Sequence, residues 1–289
     1  MSAFEDLDSL RQQTTTEVYL PCGTPVKIVL DGYKATDNYA TNLKLTGHTN
    51  WFGSMNVCNL IAEMADELFV ERTDSTEPLR VLELGSGLGR AGIMAAKILS
   101  LRGRANVVVL TDGEEDVVQQ LCANCRKNEV PDGLCRRLWW GAGTDLEEVQ
   151  TAFPTGFDLI LGCDLIYGPL GAQALQDLMI TVRALLKPLA STGQQISAPE
   201  AVPCCFLLAF TRRGAVTVDE LLEAGRRHGL CGHMLETGTF DIFENQVDED
   251  SLFWANTVVR FHWERECDRR DGLVEDDCKE AGKPAEHIR

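Results

Sequence analysis

The chain has 289 residues, 44% of them hydrophobic, and a formal net charge of -17. That length suits one large α/β domain with extensions, and no apolar run approaches the ~20 residues of a membrane-spanning helix. Nucleic-acid binding depends on neutralising phosphates with Lys and Arg, so the acidic balance disfavours it and favours small molecules, cations and basic protein segments as partners.

The opening MSAFEDLDSL lacks the basic and apolar regions of a signal peptide. Residues 1–16 read as a lead-in, mobile or helical. EVYLPCGTPVKIVL reads as two short strands around Pro21, Gly23 and Pro25. Residues 1–46 are therefore expected to form an N-terminal extension. SMNVCNLIAEMADELF follows as a helix with Val57, Leu60, Ile61, Met64 and Leu68 on one face.

Strands and helices then alternate. LRVLELG, ANVVVLTD, CRRLWWG, FDLILGCD and CCFLLAFTRR read as strands. AGIMAAKIL, EEDVVQQLCANCRKN, AQALQDLMITVRALL and TVDELLEAGRRHGL read as helices, the last opened by a capping box from Thr217 to Glu220. Continuous apolar strands spaced by helices imply a parallel sheet covered on both faces. CGHMLETGTF and ANTVVRFHWER have no crossover helix between them, which predicts an antiparallel pair at the far edge. The expected fold is a Rossmann-like, doubly wound seven-stranded sheet over residues 47–266, mostly parallel with an antiparallel edge pair. A polar loop lies within 188–203, and the charge-rich residues 267–289 read as a disordered tail.

The 11 cysteines are scattered. They suggest reduced thiols in the cytosol, with the nucleus also open. Cys122 and Cys125 have metal-like spacing, but they fall on the apolar stripe of the helix over 114–128. A core role is the simpler reading, and no metal site is assigned. His48 lies near the glycine turn discussed next, without a direct role. His228, His233, His262 and His287 form no evident constellation in sequence.

The chemistry concentrates in VLELGSGLGRAGIMAAK, where Gly85, Gly87 and Gly89 follow a strand. Ligands of open parallel sheets bind beyond the carboxyl ends of the strands. A phosphate-binding P-loop requires a Lys where Ile93 stands, so that reading fails. A dinucleotide fingerprint needs a small residue where Arg90 stands; it is weakened but stays open. S-adenosyl-L-methionine suits the acids best. Glu83 would attract its ammonium group, and Asp112, ending VVVLTD, would accept hydrogen bonds from the ribose hydroxyls. The bland alternative is a plain strand–turn–helix in which Asp112 caps the next helix.

Four motifs together resemble the seven-β-strand methyltransferases, and within them the family-16 protein lysine methyltransferases: VLELGSGLG, LTD, LWWG and GCDLIYGP, preceded by TGHTNWFGSM. The resemblance covers roughly residues 47–212. It implies that Trp51, Glu83, Gly85, Ser86, Gly87, Gly89, Asp112, Trp140 and Cys163 line the site of S-adenosyl-L-methionine. It also implies that Asp164 and Tyr167 stand at the mouth as catalytic residues. Trp139, the neighbour on the opposite face, reads as core. Phe52, Cys163 and the 188–203 insertion depart from the family's usual pattern. The implied activity is methyl transfer to a lysine of a protein substrate. A small-molecule methyltransferase and a non-catalytic cofactor-binding scaffold are the alternatives. A nucleic-acid methyltransferase is disfavoured because Leu165-Ile166-Tyr167 replaces the prolines such enzymes often carry.

Overall fold

The computed structural model describes residues 11–33, 46–49, 51, 53–69, 77–103, 105–131, 134–167, 171–188, 204–211, 216–235 and 256–263. The expected lead-in over residues 1–10, most of the 188–203 loop and the 267–289 tail lie outside them. The strands are β1 (Arg11–Tyr19), β2 (Pro25–Tyr33), β3 (Leu79–Leu84), β4 (Asn106–Asp112), β5 (Cys135–Arg137), β6 (Leu159–Cys163), β7 (Cys205–Thr211), β8 (Leu230–Leu235) and β9 (Asn256–Trp263). The helices are α1 (Gly53–Glu63), α2 (Ala65–Leu68), α3 (Arg90–Leu101), α4 (Glu115–Lys127), α5 (Thr144–Ala152), α6 (Gly171–Leu185) and α7 (Val218–Arg227).

Seven strands pair in the order β5-β4-β3-β6-β7-β9-β8, and β1 and β2 form a separate hairpin. β3 runs parallel to β4 and β6, while β9 is antiparallel to β7 and β8. This is the expected doubly wound sheet with its antiparallel edge. The strand order reverses between β3 and β6, the position where such sheets open a crevice.

Side-chain alternation along the strands divides the interior into two cores. Leu79 and Val81 of β3 face α1, α3 and α4, whereas Leu82 and Leu84 face α5, α6 and α7. β7 divides likewise: Leu207 and Ala209 join the first core, Phe206, Leu208 and Phe210 the second. The predicted Thr217 capping box is present: Glu220 N donates to Thr217 Oγ1 at 3.2 Å, and Thr217 N donates to Glu220 Oε2 at 2.8 Å. Cys125 is buried in the first core, as its place on the helical stripe predicts.

Three expectations need correction. Residues 11–16 belong to β1 rather than to a mobile or helical lead-in. Their burial alternates, but Gln and Thr fill both faces, so the sequence lacks the hydrophobic contrast that reveals a strand. The predicted helix through 54–69 is divided at Met64, with φ -89° and ψ 12°, and the turn so made buries Ala65, Leu68 and Phe69. Finally, two of the histidines do form a group with a cysteine. Pairing of β8 with β9 brings His233 and His262 together with Cys231.

The hairpin shares the main core. Val18, Leu20, Val26, Ile28 and Leu30 pack with the residues of α1 and α3. Its open edge is completed by a helix. Asn128 accepts from Val29 N at 2.8 Å and donates to Val29 O at 2.7 Å. Asn124, one turn earlier, accepts from Asp31 N at 3.0 Å and donates to Asp31 O at 3.2 Å and Leu88 O at 3.0 Å. Two side-chain amides thus imitate the ladder of a missing strand. Asn124→Ala is expected to lower the unfolding free energy by about 2–3 kcal/mol, because several partners in a buried position are left unsatisfied. A urea titration would measure it; a change below about 0.5 kcal/mol would mean that water replaces the amide.

Candidate functional site

The first turn after β3 is shaped by close contacts. Gly85 has φ 55°, and a Cβ there would stand 2.7 Å from Leu165 Cδ2 and 3.1 Å from the Trp140 ring. Gly87 has φ 51°, and its Cβ would stand 3.0 Å from the Gly47 carbonyl oxygen. Side chains at either position meet both backbone strain and steric conflict. Ser86 fastens the turn to β4: its N–H donates to Thr111 O at 2.7 Å, and its hydroxyl accepts from Thr111 N at 3.0 Å. Asp112, at the end of β4, accepts from Gly87 N at 3.0 Å and Glu114 N at 3.3 Å. It therefore holds the glycine turn and the start of α4 together.

Glu83 lies beneath this turn and is 2% exposed. Its Oε2 accepts from Gly92 N, in the first turn of α3, at 3.0 Å. A Cβ on Gly92 would stand 2.7 Å from that oxygen, so the carboxylate needs a glycine there. Burial pushes the Glu83 carboxyl up to about 8, against the lowering effect of the Gly92 hydrogen bond. Burial also raises the Asp112 carboxyl from its usual range.

The pH dependence of this buried acid has a definite sign. Glu83 ionises near 4.5 when unfolded and near 8 when folded. Below both values it is neutral in either state and costs nothing. As pH rises from 4.5 to 8, the unfolded chain loses its proton first, and stability falls. Glu83→Gln should therefore melt at a higher temperature than wild type without ligand, by a margin that widens from about pH 5 to pH 8. Thermal unfolding across that range tests this; a constant margin would count against it.

The turn opens into a cleft of about 720 Å³, within the usual range of small-molecule sites. Ten of the eleven residues singled out in the sequence line it: Trp51, Glu83, Gly85, Ser86, Gly87, Asp112, Trp140, Cys163, Asp164 and Tyr167. Gly89 does not. It is buried, with φ 85°, and a Cβ there would meet Leu121 at 2.4 Å. It serves the start of α3 rather than the cleft.

Asp164 and Tyr167 follow β6 at the other side of the cleft. Asp164 is buried and adopts φ 54°, a left-handed conformation that Asp tolerates better than most residues. Its N–H donates to Ala209 O at 2.9 Å, and its Oδ1 accepts from Thr211 N at 3.1 Å. These bonds across to β7 fix the carboxylate at the end of the strand. Tyr167 is 40% exposed at the rim. The Cys163 thiol is pushed well up by burial, with Glu83 the next cause, so it stays protonated at neutral pH.

Trp139 departs from its expected core position. It is 58% exposed and lines the cleft, with its ring against Gly113, whereas Trp140 packs partly against the second core. β5 ends at Arg137, so strand alternation no longer sets the direction of the two tryptophans. His48 pairs with Asp116 at 3.1 Å beside the cleft and is not part of its lining.

Sequence reasoning also missed residues of the cleft. Arg90 is 5% exposed and donates from Nη1 to Trp51 O and Ser54 Oγ, both at 3.1 Å. Its bulk, expected to obstruct helix–strand packing, instead reaches the turn before α1. Exposed Glu114 and half-buried Asp177 add carboxylates to the wall. Glu114 opens the stretch EEDVVQQ and Asp177 lies within the amphipathic AQALQDLMITVRALL, and neither is marked there as a cleft residue. With Glu83, Asp112 and Asp164, they give the cleft an acidic lining in which Arg90 is tied to the turn before α1. Such a lining favours a cationic ligand.

Residues 40–198 match a protein-family profile described as "Lysine methyltransferase". The chain is 29% identical over 177 residues to "EEF1A lysine methyltransferase 3" of Xenopus tropicalis, covering 59% of this chain and 67% of that protein. It is 39% identical over 94 residues to "Protein N-lysine methyltransferase METTL21A" of Danio rerio, covering 30% and 37%. It is 33% identical over 113 residues to "Histone-arginine methyltransferase METTL23" of Xenopus laevis, covering 37% and 42%.

Proposed function

Since the chain belongs to the lysine methyltransferase family matched over residues 40–198, we propose that it methylates a lysine side chain of a protein, with S-adenosyl-L-methionine as donor. The observation that carries this reading is the placement of Asp164. It is a buried carboxylate fixed by Thr211 N, at the junction between the glycine-turn cavity and the exposed Tyr167.

The donor fits the residues present. Asp112 and the buried Glu83 offer carboxyl groups on one side of the turn, and an arriving cation favours the charged form of Glu83. Gly85 and Gly87 leave the backbone bare, and Trp51 and Trp140 offer aromatic faces. When bound, S-adenosyl-L-methionine supplies an electrophilic methyl group on a sulfonium. The protein's own part is positional, which can contribute roughly 7–11 kcal/mol in well-aligned reactions. Asp164 receives the lysine as an ammonium and aligns it. Because a carboxylate favours the charged form, it raises the amine's pKa and does not by itself free the lone pair. Burial of the amine lowers that pKa, and the proton leaves to water past the rim. Tyr167 narrows the entrance, and its hydroxyl is in reach of an incoming nitrogen.

The acidic wall extends through Asp177, so a basic segment suits the mouth. The free cysteines among the described residues suit a reducing compartment, cytosolic or nuclear. Incubation with methyl-labelled donor and a proteome extract, followed by mass spectrometry, tests the reading. Methyl-lysine formed by wild type and absent with Gly85→Val supports it. Label confined to arginine or to small metabolites overturns it.

A further inference from the structure

Far from the cleft, the last two strands bring three metal-ligating side chains together. Cys231 and His233 lie two residues apart on the edge strand β8 and project from one face, and Cys231 pairs directly with His262 of β9. Cys231 Sγ is 3.4 Å from His233 Nε2, and His233 Nε2 is 3.1 Å from His262 Nε2. All three atoms lie within 4.8 Å of one another. The two imidazoles stack at 5.1 Å with planes 21° apart.

The tautomer of His262 is set by its other nitrogen. Nδ1 stands 3.0 Å from the Trp263 carbonyl oxygen. A carbonyl only accepts, so Nδ1 carries the proton and Nε2 of the neutral ring presents a lone pair. A backbone carbonyl on the distal nitrogen is the usual support of a metal-binding histidine. His233 Nε2 and Cys231 Sγ converge on the same point. At a tetrahedral zinc, with Zn–N of about 2.0–2.1 Å and Zn–S of about 2.3 Å, neighbouring ligand atoms stand roughly 3.3 Å (N to N) and 3.6 Å (S to N) apart. The two observed separations are each within about 0.3 Å of these values.

We propose that Cys231, His233 and His262 form a binding site for a borderline divalent cation, zinc by its ligand chemistry, clipping β8 to β9 at the sheet edge. A thiolate and two imidazoles suit zinc better than calcium or magnesium, which take oxygen ligands. Three protein ligands leave the fourth position to water or another donor. On binding, the Cys231 proton passes to buffer as sulfur becomes a thiolate, and His233 carries its remaining proton on Nδ1. The ligands come from neighbouring strands that fold together, so the ion stabilises the folded pair and not the unfolded chain.

The test uses the full-length, reduced, metal-stripped protein and cobalt(II), then zinc, as probes. Wild type should bind one equivalent of cobalt with a thiolate-to-cobalt charge-transfer band. Zinc should displace it and raise the unfolding midpoint by several degrees. Cys231→Ser and the exposed-site variant His233→Ala should each lose the band and the zinc-induced shift while melting, without metal, close to wild type. Cys125→Ser should keep both. A band that survives Cys231→Ser and His233→Ala, or one lost in Cys125→Ser instead, overturns the assignment, as does the absence of any band in wild type.

Discussion

Exchanging Asp164 for asparagine should lower kcat/KM for a protein lysine by about 100-fold or more, with donor affinity changed less than about threefold. The substitution is close to isosteric. An asparagine Oδ1 can still accept from Thr211 N, the bond now made at 3.1 Å. It also tolerates the left-handed φ of 54° seen at this position. What disappears is the negative charge that receives the ammonium in a buried setting. Truncation of one partner of such a pair costs about 2–5 kcal/mol, which brackets the rate loss. Steady-state kinetics on an identified substrate, with calorimetry of donor binding, separates the two effects. Full turnover would remove Asp164 from the mechanism.

Gly85→Val should weaken donor binding by more than about 100-fold. A left-handed conformation strains a β-branched residue by about 1–3 kcal/mol. The new Cβ would also stand 2.7 Å from Leu165 and 3.1 Å from Trp140, two sides of the floor on which the donor must rest. Valine adds two further methyl groups into the same space. Either the turn shifts out of its hydrogen bonds with β4 or the Trp140 ring is displaced, and both outcomes close the cavity. Gly85→Ala should fall between the two forms. Isothermal titration with the donor, alongside a melting curve to confirm folding, gives the comparison. Wild-type affinity in the valine variant would place the donor elsewhere.

Much of this architecture is legible in the sequence because its strands are continuously apolar and its helices periodic. Val81, Leu82 and Leu84 announce a strand buried on both faces, and Thr217 with Glu220 announces a helix start. The cleft is legible for a related reason. Bare glycines and carboxylates at the ends of buried strands weaken a fold unless a ligand meets them there. What escaped is what only assembly decides. The first part of β1, residues 11–16, has polar residues at its exposed and covered positions alike, so no pattern marks it. Arg90 sits at a helix start, yet its role depends on the turn at Trp51 and Ser54, 36–39 residues away. Trp139 and Trp140 lie just past the end of β5, where alternation has ceased to apply. Cys231, His233 and His262 meet only because two strands pair in one particular register.

The asparagine amides at the end of α4, Asn124 and the capping Asn128, have an effect beyond anchoring a hairpin. Tyr33, at the end of β2, bridges to Thr49, and Gly47 in the same short segment presses its carbonyl toward the Gly87 turn. The hairpin thus carries the lintel of the cavity. Fraying of β2 from Asn124 would loosen that lintel, so the residence time of the donor should track how firmly a distant pair of strands is held.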